Sequence, residues 1–226
     1  MGEGLTWWLP ENISTFGGRI DTIFYVILAV TGFMFFLVEG AILYFAIRYR
    51  DGKNAKAKYV HGNMKLEIIW SIVPAILLTL LVLKSQQGWT EIKSKFPDAP
   101  DLQIEVTAQQ FAWNVKYLDS NVTTLNQLHI PVGKKILVKL TSKDVIHSFF
   151  VPQFRLKQDA VPGTMINVWF QATKTGNYEL VCAEFCGLAH YRMKGYLTIE
   201  EPEKFNMWLA QAKQEAEKKE EEEDEW

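Results

Sequence analysis

Two long apolar blocks in the first part of the chain precede a region of short alternating runs. Residues 23–47 contain one charged side chain, Glu39, and residues 68–83 contain none. A helix rises about 1.5 Å per residue, so about 20 apolar residues cross the hydrocarbon layer. The second block is short enough to suit a buried soluble helix, but polar flanks and the anchors Trp70 and Trp89 extend it to spanning length. The pattern predicts transmembrane helices at about 23–47 and 66–88.

The polar segment between the two blocks is strongly basic. It has one acid, Asp51, whereas the segment before the first block has only Arg19 among basic residues. By the positive-inside rule this loop faces the cytoplasm or matrix, and both termini face outward. Residues 1–22 then form an outward-facing segment without the pattern of a cleavable signal peptide, with Trp7 and Trp8 in the membrane interface. The basic residues of the loop are Arg48, Arg50, Lys53, Lys56, Lys58 and Lys65.

After residue 97 the apolar period changes to two. Runs at 102–107, 135–140 and 164–170 alternate apolar and polar side chains, and turn residues such as Pro162-Gly163 separate them. This pattern is typical of an antiparallel sandwich or barrel, here over residues 100–200.

The last segment, residues 201–226, predicts a helix that ends in a charged tail. Pro202 suits the first turn of a helix, and Phe205, Trp208, Leu209 and Ala212 share one face that can pack on the barrel. Beyond residue 214 charged side chains dominate, which favours a solvated helix end or a disordered tail.

Composition adds two limits. The chain has 226 residues and a formal net charge of -2, which argues against nucleic acid as a partner. The mean hydropathy of -0.04 would suit a soluble protein, but this average conceals the two apolar blocks.

The only two cysteines lie in a short segment with other soft metal ligands. Cys182 and Cys186 are followed by His190 and Met193. Thiolate, imidazole and thioether suit copper far better than magnesium or calcium. A mononuclear blue-copper site uses one cysteine, so the second cysteine points to two copper ions bridged by both thiolates.

Such a centre needs a second imidazole and a second weak donor. His147 is the best candidate for the imidazole, because it ends an apolar run and precedes a proline-marked turn, and the carbonyl of Glu184 is the simplest weak donor. Two alternatives remain open at this point. A small-loop disulfide is common in exported domains, and zinc would use cysteine and histidine but has little use for a thioether.

Together these residues resemble the binuclear copper centre, CuA, of subunit II of the haem-copper cytochrome c oxidases. The resemblance covers nearly the whole chain. It implies a two-helix transmembrane hairpin over residues 23–90, an all-β cupredoxin domain (a Greek-key β-barrel) over 100–200, and a C-terminal helix. The matching positions are His147, Cys182, Glu184, Cys186, Gly187, His190 and Met193.

The resemblance also implies a function and partners. Two copper ions would accept electrons from a c-type cytochrome and pass them to haem in subunit I, where oxygen is reduced to water. The partners would be subunit I, other oxidase subunits, the cytochrome donor and membrane lipid. A bacterial cytoplasmic membrane with a periplasmic copper domain is favoured over the mitochondrial inner membrane.

In the family, electrons enter through a tryptophan at the end of an aromatic cluster, and Trp113 is assigned this role by resemblance. Phe111 stands where that cluster usually has another tryptophan. Lys116 and Lys143 lie near positions that are commonly acidic, which weakens the expectation of docking by a lysine-rich cytochrome.

Two carboxylates acquire roles from the resemblance alone. The Glu184 side chain would bind magnesium or manganese at the boundary with subunit I, with Phe185 and Leu188 expected to be buried beside it. Glu67 would lie at the mouth of a proton pathway. A solvated loop carboxylate and a snorkelling interfacial carboxylate are the respective plain alternatives.

Two other functions compete with this interpretation. A membrane-tethered copper chaperone would also use the cysteines, but such proteins usually have a βαβ scaffold, whereas this domain reads all-β. A quinol-oxidase subunit without copper would lack the ligands, and every one of them is present here.

Overall fold

The computed structural model describes residues 9–52 and 59–224, with side chains up to residue 218. The positions predicted for Trp7 and Trp8, three of the loop lysines and the acidic end of the tail lie outside the described residues.

Two long helices come first in the chain, α1 at Gly17–Arg48 and α2 at Met64–Trp89. Both are long and apolar enough to cross a membrane, and their most apolar stretches are not buried within the protein. Side-chain oxygens cap both: Ser14 Oγ accepts from Gly17 N at 3.0 Å, and Asn63 Oδ1 accepts from Lys65 N at 3.1 Å. The residues Arg19–Trp89 form one compact unit of the chain.

The second unit contains ten strands in two five-stranded sheets. The strands are β1 Leu102–Gln109, β2 Ala112–Tyr117, β3 Val122–Leu125, β4 Gln127–Pro131, β5 Lys135–Ser142, β6 His147–Val151, β7 Leu156–Ala160, β8 Ile166–Gln171, β9 Gly176–Cys182 and β10 Lys194–Glu200. The sheet orders are β3-β2-β1-β5-β8 and β4-β10-β9-β6-β7, with β1–β5 and β4–β10 parallel and the other pairs antiparallel.

The core of this domain lies between the sheets and follows from the alternation. Along β1 every second side chain is buried, and the largest fully buried side chains include Trp113, Tyr117, Phe149 and Phe170. One apolar face per strand packs inward, as the period of two predicts.

A third helix, α3 at Pro202–Asp224, packs on this domain. Phe205 is buried, and the Trp208 ring stacks on His129 with ring centroids 4.0 Å apart. The predicted fold class, two apolar helices followed by an all-β domain and a C-terminal helix, is confirmed.

The residues just before α1 pack against the β domain, which the sequence did not predict. Ile13 and Ser14 are buried, and Ile13 N donates to Gln153 O at 3.0 Å while Thr173 N donates to Ile13 O at 2.8 Å. Ser14 Oγ donates to Phe154 O at 3.0 Å. This N-terminal clip, residues 9–16, is thus part of the same compact unit as the strands.

Candidate metal centre

Strand pairing brings the cysteine loop and His147 to one end of a sheet. Strand β9 ends at Cys182 and its antiparallel neighbour β10 begins at Lys194, so residues 183–193 connect adjacent strands. Strand β6 starts at His147 and pairs with β9 on the other side, with Phe149 opposite Cys182. The pairing of β6 with β9 therefore brings His147 next to the cysteine loop, although the two are far apart in the sequence.

The two sulfur atoms lie at a separation that suits shared metal ions. Cys182 Sγ and Cys186 Sγ are 3.9 Å apart, and both cysteines are free. A disulfide would need about 2.0 Å, so that alternative does not describe this structure. Two sulfurs bound to one ion at about 2.3 Å each lie no more than about 4.6 Å apart. The observed separation fits.

The histidines and the methionine surround these sulfurs. His147 Nδ1 lies 3.9 Å from Cys182 Sγ and 3.1 Å from Met193 Sδ. On the other side, His190 Nδ1 lies 3.5 Å from Cys186 Sγ, and the carbonyl oxygen of Glu184 lies 3.3 Å from Cys182 Sγ. The structure thus brings together all six donor groups singled out in the sequence.

The cluster is largely shielded from water. His147, Cys182, Cys186 and Met193 are buried, and His190 is half-buried. Burial, followed by the neighbouring Cys182, raises the pKa of the Cys186 thiol to about 11. A metal that binds here must therefore displace protons from the sulfurs.

Asp144 fixes the orientation of the His147 ring. His147 Nε2 lies 2.8 Å from Asp144 Oδ1, so Nε2 carries the proton and Nδ1 presents its lone pair to the sulfurs. Burial acts to raise the pKa of Asp144, but the hydrogen bonds from His147 and from the backbone of Gln110 and Val145 outweigh it and bring the pKa down to about 2. The sequence did not predict this contact between Asp144 and His147.

Trp113, assigned by resemblance as the electron-entry residue, is not exposed on the surface of this chain. Its side chain is fully buried, with ring centroids 6.3 Å from His147 and 5.9 Å from Phe149. On β2 the inward positions alternate from Trp113 to Val115 to Tyr117, so Trp113 is directed into the core. The aromatic side chain with access to solvent in this hairpin is Phe111, which is half-buried.

Phe185 and Leu188, expected to be buried beside Glu184, are exposed on this chain by itself. Phe185 is 78% and Leu188 is 94% exposed, and Glu184 is exposed as well. The reason is that the loop projects beyond the sheet, with the donor atoms turned inward and the apolar side chains turned outward. Glu67 lies in the first turn of α2, in the other compact unit.

Comparison with known proteins places this geometry in a family. Residues 7–87 match the family described as cytochrome C oxidase subunit II, transmembrane domain, and residues 119–199 match cytochrome C oxidase subunit II, periplasmic domain. A cytochrome c oxidase subunit 2 from Thermostichus vulcanus is 34% identical, covering 90% of this chain and 78% of the relative. The chain belongs to the cytochrome c oxidase subunit II family.

Two further relatives bear on the subunit II assignment. The periplasmic domain of subunit II of cytochrome oxidase from Bradyrhizobium japonicum superposes with a TM-score of 0.51 at 33% identity, covering 54% of this chain and 99% of that one. A quinol oxidase subunit 2 from Bacillus subtilis is 31% identical, covering 85% of this chain and 63% of the relative.

Membership in the subunit II family settles the broad class of function. This is a membrane-anchored subunit of an oxidoreductase complex, the subunit that receives electrons. The copper chaperone weighed from the sequence does not fit this membership.

Proposed function

We propose that this chain receives electrons from a c-type cytochrome at a binuclear copper centre and passes them to haem in subunit I, where oxygen is reduced to water. The observation that carries the proposal is the pair of free sulfurs, 3.9 Å apart, with one imidazole Nδ1 beside each. A quinol-oxidase subunit without copper would not require such a set of donors.

The distances support a division of the donors between two copper ions. Both would share Cys182 and Cys186. His147 and Met193 lie together and would complete one ion's ligands, while His190 and the Glu184 carbonyl would complete those of the other. Met193 therefore shares an ion with His147, which is distant in the sequence, and not with His190 of its own loop.

Two coppers, when bound, would supply a one-electron couple spread over both metals. The protein's part is to hold the donors in one geometry in both oxidation states and to keep water away. The buried His147 and Met193 and the Asp144 contact support a rigid half of the site, and half-buried His190 is the more exposed of the two histidines.

The exposed loop supports a contact with subunit I. Phe185 and Leu188 are large apolar side chains in water on an ordered loop, which is typical of a protein interface. The exposed Glu184 carboxylate would bind magnesium or manganese at that boundary, while its carbonyl faces Cys182.

Burial of Trp113 changes the proposed electron route. Its ring lies beside His147 in the core, so it supports the copper site from inside and is not the contact with the donor. Phe111, at the tip of the same hairpin, would meet the cytochrome. The exposed Lys116 and Lys143 make this face less acidic than a lysine-rich cytochrome prefers.

The membrane arrangement follows the same proposal. The chain divides into an outward segment (1–22), a hairpin (23–90), the copper domain (100–200) and the C-terminal helix with its tail (201–226), with both termini on the outer side of a bacterial cytoplasmic membrane. The N-terminal clip supports this, because residues that pack on the copper domain must lie on its side of the membrane. Glu67 would open a proton pathway into subunit I.

The decisive test is the electron paramagnetic resonance spectrum of the full chain in detergent, loaded with copper. The full chain is used because a fragment that starts at residue 100 would lack the N-terminal clip, which packs on the copper domain. We expect two coppers per chain and hyperfine splitting from two equivalent nuclei. One copper with a four-line pattern would refute the binuclear centre.

A further inference from the structure

The tip of the β1–β2 hairpin contributes no metal donor, yet it contacts the cysteine loop directly. Gln110 and Phe111 connect the two strands, and Gln110 Nε2 donates to the backbone carbonyl of Cys186 at 2.5 Å. This hydrogen bond is made to the residue that carries one of the two sulfurs.

The loop has a glycine where the hairpin tip approaches. Gly187 has φ +134°, a conformation that side-chain-bearing residues rarely adopt. A Cβ at this position would lie 2.7 Å from Gln110 Nε2 and 3.2 Å from Phe111 Cζ. The glycine therefore serves both the loop's conformation and the close approach of the tip.

The same glutamine is tied to the other half of the site. Gln110 N donates to Asp144 Oδ2 at 2.7 Å, and the second oxygen of that carboxylate, Oδ1, accepts from His147 Nε2 at 2.8 Å. Val145 N also donates to Oδ1, at 2.6 Å. One residue thus links the cysteine loop, through its side chain, with the orientation of His147, through its backbone.

We propose that Gln110 is a positioning residue of the metal centre, which fixes the cysteine loop relative to the Asp144–His147 pair so that the two halves of the donor set keep one geometry. The proposal rests on the proposed copper-binding function. Outer contacts of this kind orient metal ligands, and their loss typically costs about 10- to 100-fold in metal affinity.

The mechanism is local and mechanical. Residues 183–193 project from the sheet with exposed apolar side chains, so the loop has few packing contacts on its outer side. The Gln110 amide restrains Cys186 through the hydrogen bond to its carbonyl. Without this hydrogen bond, Cys186 Sγ is free to move relative to Cys182 Sγ. Cys182 is the last residue of β9 and is held by the pairing of β9 with β6.

The test compares Gln110→Ala and Gln110→Glu with Gln109→Ala in the full chain in detergent. Gln109 is the neighbouring glutamine at the end of β1, which makes Gln109→Ala a matched control. Gln110→Glu keeps the size but replaces the amide donor, so it remains informative if the alanine variant folds poorly. The measurements are the rate of copper loss to a chelator, the hyperfine pattern, and the unfolding temperature of the copper-free chain.

We expect both Gln110 variants to lose copper about 10- to 100-fold faster than the control and to show an altered hyperfine pattern. If they match Gln109→Ala in the rate of copper loss and in the hyperfine pattern, Gln110 is merely structural and the proposal is overturned. This holds even if the unfolding temperature of the copper-free chain differs. If Gln110→Glu behaves like the unmodified chain, the amide donor is not the positioning contact and the proposal also fails. An unmodified chain that binds no copper pair refutes the proposed function separately.

Discussion

His147 Nδ1 lies 3.1 Å from the sulfur of Met193, although 46 residues separate them in the chain. Both side chains are buried, and neither the spacing within the cysteine loop nor the position of His147 alone predicted that they form the same half of the site. In the proposed centre, this pairing would make Met193 the weak donor to the same copper ion as His147.

The first prediction concerns Met193→Leu. Leucine keeps the apolar volume but lacks the sulfur, so the copper-free chain should lose less than about 1.5 kcal/mol of stability. Two coppers should still bind. The reduction potential should rise, because the oxidised form loses an electron donor. A redox titration measures this, with Met165→Leu as the control, since Met165 is half exposed and outside the donor set. Equal potentials in the two variants would remove Met193 from the donors.

The second prediction separates Phe111 from Trp113. Phe111→Ala should slow electron transfer from the cytochrome, because it removes the accessible ring of the hairpin, and leave transfer from copper to haem unchanged. Trp113→Phe should slow both steps to a similar degree, because a fully buried ring next to His147 supports the site itself. Flash-photolysis kinetics on the assembled oxidase resolve the two steps. Selective slowing of the cytochrome step by Trp113→Phe would contradict the route.

The third prediction concerns the Glu184 carboxylate. Glu184→Gln keeps the backbone carbonyl that faces Cys182, so the copper spectrum should be retained. The binding of magnesium or manganese at the boundary with subunit I should be weakened, because an amide is a poorer ligand than a carboxylate for a hard cation. Manganese resonance of the assembled oxidase reports the occupancy. Full manganese occupancy in the variant would mean that the Glu184 carboxylate does not bind the ion and is only a solvated group on the loop.

The fourth prediction tests the N-terminal clip. Ser14 Oγ donates to Phe154 O and accepts from Gly17 N, and the side chain is 3% exposed. Ser14→Ala leaves both partners without this oxygen, and we expect a loss of about 1–2 kcal/mol. Thermal unfolding of the full chain measures it. Thr15→Ala, at the adjacent exposed position, should change little, and equal effects of the two substitutions would argue against the clip.

Local chemistry explains why much of the candidate site could be predicted. Cys182, Cys186, His190 and Met193 lie within one short segment, so donor type and spacing carry the information without knowledge of the fold. The strands were predictable for a similar reason, since alternation is a property of neighbouring residues.

What the sequence did not reveal depends on contacts between distant segments. The burial of Trp113 is an exception, because the alternation along β2 already places Trp113 with Val115 and Tyr117 on one apolar face. The contacts of Gln110 depend on which loops meet at one end of the domain, and no periodic pattern encodes this. The exposure of Phe185 and Leu188 suits packing against another chain, which a single sequence does not contain.

The N-terminal clip also has a consequence for the order in which this protein matures. The contact of Ser14 with Phe154 closes a loop across 140 residues, and this loop includes both apolar helices. Because the chain is synthesised from its N-terminus, residues 9–16 are made long before the strands on which they pack. In the proposed topology, a chain with only one of its two helices across the membrane would hold the clip and the strands on opposite sides, so this contact could not form there.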